Sequence, residues 1–125
     1  MLKYLLVGMG GCLGSILRFW VSSYIGSRLG GRFPYGTLVV NISGSFLVGF
    51  VLAVLTARTQ LGANWRYLIP IGFIGGYTTF SAFEYETLRT IQDGQIGVGL
   101  LYVATSVIVG FVAVWGGVIA GRAIS

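Results

Sequence analysis

The chain has 125 residues, of which 55% are hydrophobic and 9% charged, and its mean hydropathy is +0.87; soluble domains carry about 25% charged residues, so a water-soluble globule is excluded. The net charge of +5 comes from basic residues that stand singly, as membrane flanks do, which argues against a nucleic-acid surface. A single cysteine, Cys12, and the absence of histidine leave little for a disulfide, a zinc site or hydrolytic chemistry, so no enzymatic activity is expected.

Four membrane-spanning helices in one domain, residues 1–125, account for nearly all of the sequence, since a span needs about 20 apolar residues. They are expected at residues 2–25, 36–57, 67–91 and 95–121. Lys3 followed by an apolar run also fits a signal peptide, but three further spans follow and no clean cleavage site appears, which favours a span.

Basic residues at span ends decide which side faces the cytoplasm. Lys3, Arg58, Arg66 and Arg122 fall on one side, and Arg28, Arg32 and Arg89 on the other. So small a difference predicts insertion in both orientations, and if both exist an antiparallel homodimer becomes possible, its two copies supplying the inverted symmetry that transporters often build within one chain. Four helices are also too few to enclose a pathway alone. Glycine pairs at Gly10/Gly14, Gly72/Gly76 and Gly117/Gly121 give small faces on which helices can approach closely.

Several polar residues lie inside the spans. Arg18 costs about 2.5–3.5 kcal/mol in hydrocarbon and should face protein or water, or snorkel to an interface. Thr37, Asn41 and Ser45 are spaced by four and share one face of the second span. In the third span, Gly75-Gly76-Tyr77-Thr78-Thr79 predicts a break near the middle: Gly-Gly lowers helix propensity, and Thr78, Thr79 or Ser81 can cap a helix restarting at Phe80. Carbonyls exposed there could hold a cation where two copies meet.

Phe80 and Phe83 share a helical face beyond the break. Such a pair serves ordinary core packing, or presents ring edges of positive potential to a small anion. Glu84 and Glu86 follow on the next turn, either on an ion path or solvated near the span end. Tyr102 and Ser106, four apart, place two hydroxyls on one face of the fourth span.

Three segments together carry a resemblance: Gly10-Gly11 with Gly14-Ser15-Ile16-Leu17-Arg18; Gly36-Thr37-Leu38-Val39-Val40-Asn41-Ile42-Ser43-Gly44-Ser45-Phe46; and Gly75-Gly76-Tyr77-Thr78-Thr79-Phe80-Ser81-Ala82-Phe83. In this order they resemble the Fluc family of fluoride channels, also called CrcB proteins, over essentially the whole chain. The resemblance implies an all-α protein of the cell inner membrane, assembled as an antiparallel, dual-topology homodimer with two fluoride pathways that passively export cytoplasmic fluoride. By the same resemblance, Phe80 and Phe83 would line the path with Asn41 as a nearby donor, and Tyr102 and Ser106 would supply fourth-helix hydroxyls. Glu86 would sit on a polar track and Arg18 would shape a vestibule. Carbonyls of Gly75 and Thr78 from both copies would hold a central structural sodium ion. Fluoride is small and strongly hydrated, so it needs donors to replace water; Asn41, Ser81, Tyr102 and Ser106 can offer them. Ala82, where the family more often has Thr or Ser, and Glu84, where an uncharged residue is common, depart from the pattern.

A four-helix small multidrug exporter shares the length and the dimeric habit, but resembles its kin in a membrane-embedded glutamate in helix one, where this chain has Arg18 and no acid. A purely structural membrane subunit is the other alternative, and the polar stripe and predicted break argue against it.

Overall fold

The computed structural model describes residues Met1–Ser125, and every regular element is helical. Helices α1 (Leu2–Leu29), α2 (Tyr35–Ala57) and α6 (Ile96–Ala123) are each long and apolar enough to cross a bilayer. A 3₁₀ turn, Thr59–Leu61, leads from α2 into a continuous helical run made of α3 (Asn64–Arg66), a π-helical segment (Tyr67–Ile74) and α4 (Gly75–Tyr77). Helix α5 (Ser81–Gln92) follows after three residues. The turn between α5 and α6 passes through Gly94 at φ 82, a left-handed conformation that glycine adopts without steric cost.

Pro70 lies inside the π-helical segment and is buried. It has no N–H to give to the preceding turn, so the helical ladder widens around it. The ladder tightens again at Gly75, whose N–H reaches both Pro70 O and Gly72 O.

Two pairs of helices pack through glycine at backbone distance. A Cβ on Gly10 or Gly14 of α1 would overlap the carbonyl oxygen of Leu68 or Phe73, and one on Gly76 would lie 2.8 Å from Gly11 O. A Cβ on Gly49 of α2 would overlap Val114 O of α6, and one on Gly117 of α6 would overlap Phe46 O of α2. Such contacts let dispersion and weak Cα–H···O bonds act between backbones where burial from water supplies no drive. The α2–α6 pair is the most extensive in the fold, and α1 lies against the π-helical segment and α4.

Only 19 of 125 residues are buried within one copy, many of them glycines; Val40, Tyr77, Phe83 and Tyr102 form a small core where α2, α5 and α6 approach the end of α4, while Leu55, Pro70 and Thr90 are buried elsewhere. Large apolar side chains such as Phe19, Phe111 and Trp115 point outward. In hydrocarbon that arrangement costs nothing, and with the three apolar helices it makes the chain a multi-pass membrane protein.

Helical geometry stops at Tyr77 and resumes at Ser81. Thr78 is extended (φ −84, ψ 158) and its N–H still closes the preceding turn on Ile74 O. The paired glycines Gly75 and Gly76, expected to lie at the interruption, remain helical, and the restart comes at Ser81 rather than Phe80. What displaces it is tertiary: Asn41 on α2 takes the Thr79 backbone, with Thr79 N–H donating to Oδ1 (2.8 Å) and Nδ2 donating to Thr79 O (2.9 Å). A helix cannot pass through a residue whose amide and carbonyl are both bound elsewhere. Thr79 Oγ1 then accepts from the Ala82 N–H at 3.3 Å and caps α5.

Candidate functional site

The interruption leaves backbone groups without partners. The carbonyls of Gly75 and Thr78 accept no hydrogen bond, and the N–H groups of Phe80 and Ser81 donate none. Carbonyls thus end one helix and amides begin the next, α5, whose N-terminus carries partial positive charge.

Two clefts meet this region. One, of about 360 Å³, is lined by Arg18, Thr37, Val40, Thr79, Ala82 and Glu86, together with the α1–α2 loop. The other, of about 380 Å³, is lined by Asn41, Ser45, Gly75, Thr78, Thr79, Phe80, Phe83 and Ser106. Thr79 borders both. A wider mouth of about 680 Å³ opens beside the first, between Arg32 and Phe33 of the loop and Glu86, Arg89 and Asp93 near the end of α5.

A chain of side chains joins the clefts. Glu86 accepts hydrogen bonds from Tyr102 on one oxygen (3.1 Å) and from Thr37 on the other (3.0 Å). These are bonds to a charged acceptor, stronger than neutral ones. The Tyr102 ring meets Phe83 edge-on (5.1 Å between centroids, 65°), and Phe83 meets Phe80 at 5.8 Å and 57°. Phe83 is 7% exposed, whereas Phe80 is 72% exposed and projects from the single copy. On the far side of the rings, Ser106 Oγ is buried with no hydrogen-bond partner, a hydroxyl with an unused donor beside Asn41 and Phe80.

The residues expected from the sequence to line an anion path fall into three groups. Thr37, Glu86, Tyr102, Phe83 and Phe80 form a connected track, and Asn41 and Ser106 line the same cleft as Phe80 and Phe83 without touching the track through a hydrogen bond. Arg18 stands at the edge of the first cleft, half-buried, with Nε donating to Gly76 O at 3.2 Å, so it anchors α1 to α4 as well as bringing charge to the cleft. Ser81 is exposed at the first turn of α5 and lines neither cleft. Of the two N–H groups of Asn41, one is spent on Thr79 and the other makes no hydrogen bond within the chain.

Three contributors are not legible from spacing. Tyr77 OH and Ser43 Oγ share a hydrogen bond of 3.0 Å that ties the end of α4 to α2. Phe33, in the α1–α2 loop, packs edge-on against Tyr102 (5.6 Å, 78°). Gly44 lies beneath the Thr78 methyl group. Only the polar Ser43 carries a sequence signal, being a hydroxyl inside an apolar span.

Residues 5–118 match the family model described as CrcB-like protein, Camphor Resistance (CrcB). The chain belongs to the CrcB family. This CrcB family member is 52% identical over 123 residues to a protein of Acidobacterium capsulatum named fluoride-specific ion channel FluC, covering 98% of both chains. A protein of Solibacter usitatus with the same name is 46% identical over 121 residues, 97% of this chain and 99% of the relative. One from Geotalea daltonii is 40% identical over 116 residues, 93% and 94% of the two chains.

Proposed function

We propose that the chain is the subunit of a fluoride-selective channel of the cell inner membrane that lets cytoplasmic fluoride leave passively. The observation that carries the reading is the track itself: Glu86, Tyr102, Phe83 and Phe80 in unbroken contact between two clefts, with the unpartnered Ser106 hydroxyl at one end. The names of the relatives supply the ion.

Fluoride shed of water needs donors of fixed position. The spare N–H of Asn41, the Ser106 hydroxyl and the free amides of Phe80 and Ser81 are such donors, and the α5 N-terminus adds favourable potential. The Phe80 and Phe83 rings present edges of positive potential, too weak to trap the ion and too bulky to admit a large hydrated one. Glu86 is held by two hydroxyl donors, which spreads its charge away from a passing anion and keeps those hydroxyls oriented. Arg18 brings positive charge to the same cleft.

The residues 64–92 then make the third of four crossings, with the interruption near its middle. Irregular backbone at that depth is tolerated only against protein or a water-filled cavity. Exposed Phe80, Ser81 and Gly75 supply the reason for a second copy: a single chain leaves them to lipid. The near balance of basic residues on the two sides favours an antiparallel partner, with two pathways per dimer.

Family resemblance also implies a structural sodium ion. The donor set fits: Gly75 and Thr78 offer neutral carbonyl oxygens without hydrogen-bond partners on one cleft, the ligand type that hard cations take, and a second copy doubles their number. Such an ion would supply fixed positive charge near the anion path.

Proton-coupled export of cationic drugs is the weaker reading, because α1 brings Arg18 to the cleft and no carboxylate. The deciding experiment is efflux from liposomes followed with a fluoride electrode. Fast fluoride loss without chloride loss supports the channel; folded dimers that release neither ion overturn it. Tyr102→Phe is expected to slow that efflux severalfold and to lower the melting temperature by several degrees without unfolding the protein. The ring contacts with Phe83 and Phe33 remain, and only the hydroxyl bond to Glu86, worth about 1.5–3 kcal/mol when the acceptor is charged, is lost.

A further inference from the structure

Three nearby residues of α2 grip the three residues around the interruption. Asn41 binds the Thr79 backbone, Ser43 binds the Tyr77 hydroxyl, and Gly44 lies under the Thr78 side chain. The third contact is made by an absence. A Cβ on Gly44 would overlap Thr78 Cγ2 and sit 3.3 Å from Tyr77 Cδ2.

Neither neighbour can give way independently. Thr78 Oγ1 donates to Ile74 O at 3.1 Å, so turning the side chain away breaks that bond. Tyr77 is 6% exposed, held by Ser43 and stacked on Phe73 with ring planes 3° apart. Thr79 is pinned from both backbone atoms. A methyl group at position 44 is therefore relieved most easily by moving the Thr78 backbone off α2, which re-aims its free carbonyl.

We infer that Gly44 is a positioning residue for the carbonyl cradle of Gly75 and Thr78: the missing side chain sets the depth at which Thr78 seats on α2 and so the direction of its oxygen. The inference rests on the proposed cation site. Gly75 shares the cleft but precedes the interruption within α4, so the effect falls on one of the two oxygens that each copy contributes.

The test is thermal melting of the purified dimer across a sodium titration at constant ionic strength with a large organic cation, for wild type, Gly44→Ala, Gly44→Ala with Thr78→Ser, Thr78→Ser alone, and Gly49→Ala. Sodium bound to the native state alone raises the melting temperature logarithmically once its concentration exceeds the dissociation constant, and the concentration at which the rise sets in gives the midpoint of sodium binding. Gly44→Ala should raise that midpoint by about tenfold, the low end of what overpacking by one methyl costs. Removing the opposing methyl with Thr78→Ser should return the midpoint toward that of Thr78→Ser alone. Gly49→Ala, which crowds α6 rather than the interruption, should lower the melting temperature without moving the midpoint. A sodium midpoint in Gly44→Ala equal to wild type, or one that Thr78→Ser does not restore, overturns the positioning role while leaving the cation site standing. Wild-type protein whose melting ignores sodium overturns the site and the inference together.

Discussion

Asn41→Asp should abolish fluoride efflux, with initial rates in liposomes down by about hundredfold or more. Two effects act in the same direction. The Nδ2 donor that holds Thr79 O at 2.9 Å becomes a second acceptor, so two oxygens face each other where a hydrogen bond stood. Thr79 O then loses its partner at a cost of about 1–3 kcal/mol, and the restart of α5 loosens. A carboxylate beside the path also repels the anion; two like charges about 4 Å apart at an effective dielectric of 20 oppose each other by about 4 kcal/mol, which is nearly a thousandfold in rate. Asn41→Ala separates the two, because it removes the clamp without adding charge. It should melt at a lower temperature yet retain more efflux than Asn41→Asp. Equal rates for the two variants would assign the whole effect to the clamp.

Phe80→Ile is the complementary case, in which conduction falls and the fold does not. Phe80 is 72% exposed in the single copy and meets the core ring of Phe83, so an aliphatic side chain of similar bulk leaves the packing of α5 on α6 in place. What changes is the ring edge. An isoleucine offers no positive rim to a dehydrated anion, and efflux should fall by about tenfold or more, equivalent to about 1.4 kcal/mol on the barrier. Electrode traces and melting curves on the same preparation check it. A full efflux rate in well-folded Phe80→Ile protein would remove Phe80 from the pathway.

How far the sequence could be read depends on whether the determinant is local. The apolar runs and the spacing of Thr37 and Asn41 are properties of one segment, and hydropathy and periodicity expose them. The interruption between α4 and α5 is not. Gly75-Gly76 lies where propensity is lowest, yet those residues stay helical, because Asn41 takes hold of Thr79 from another helix. For the same reason Asn41 reads from sequence as a free donor and turns out to be half engaged. Pro70 is visible in the sequence, but its consequence, a π-helical segment of eight residues, depends on α1 packing through Gly10 and Gly14 onto that widened turn. Ser81, with a hydroxyl two residues before Phe83, looks like part of a polar track; the helical rotation of α5 turns it outward while Glu86 is drawn in by Tyr102 and Thr37. Phe33 gives no signal at all, since its place over Tyr102 is set by the course of the α1–α2 loop.

The most direct test of fluoride selectivity is the reversal potential of a planar bilayer or fused-liposome patch holding wild-type protein, with potassium fluoride on one side and mixed potassium fluoride and chloride on the other. A passive fluoride-selective channel predicts a reversal at the fluoride equilibrium potential, moving by about 59 mV for each tenfold change in the fluoride ratio and insensitive to chloride. A reversal that tracks chloride or potassium, or an absence of current from the folded protein, would contradict it.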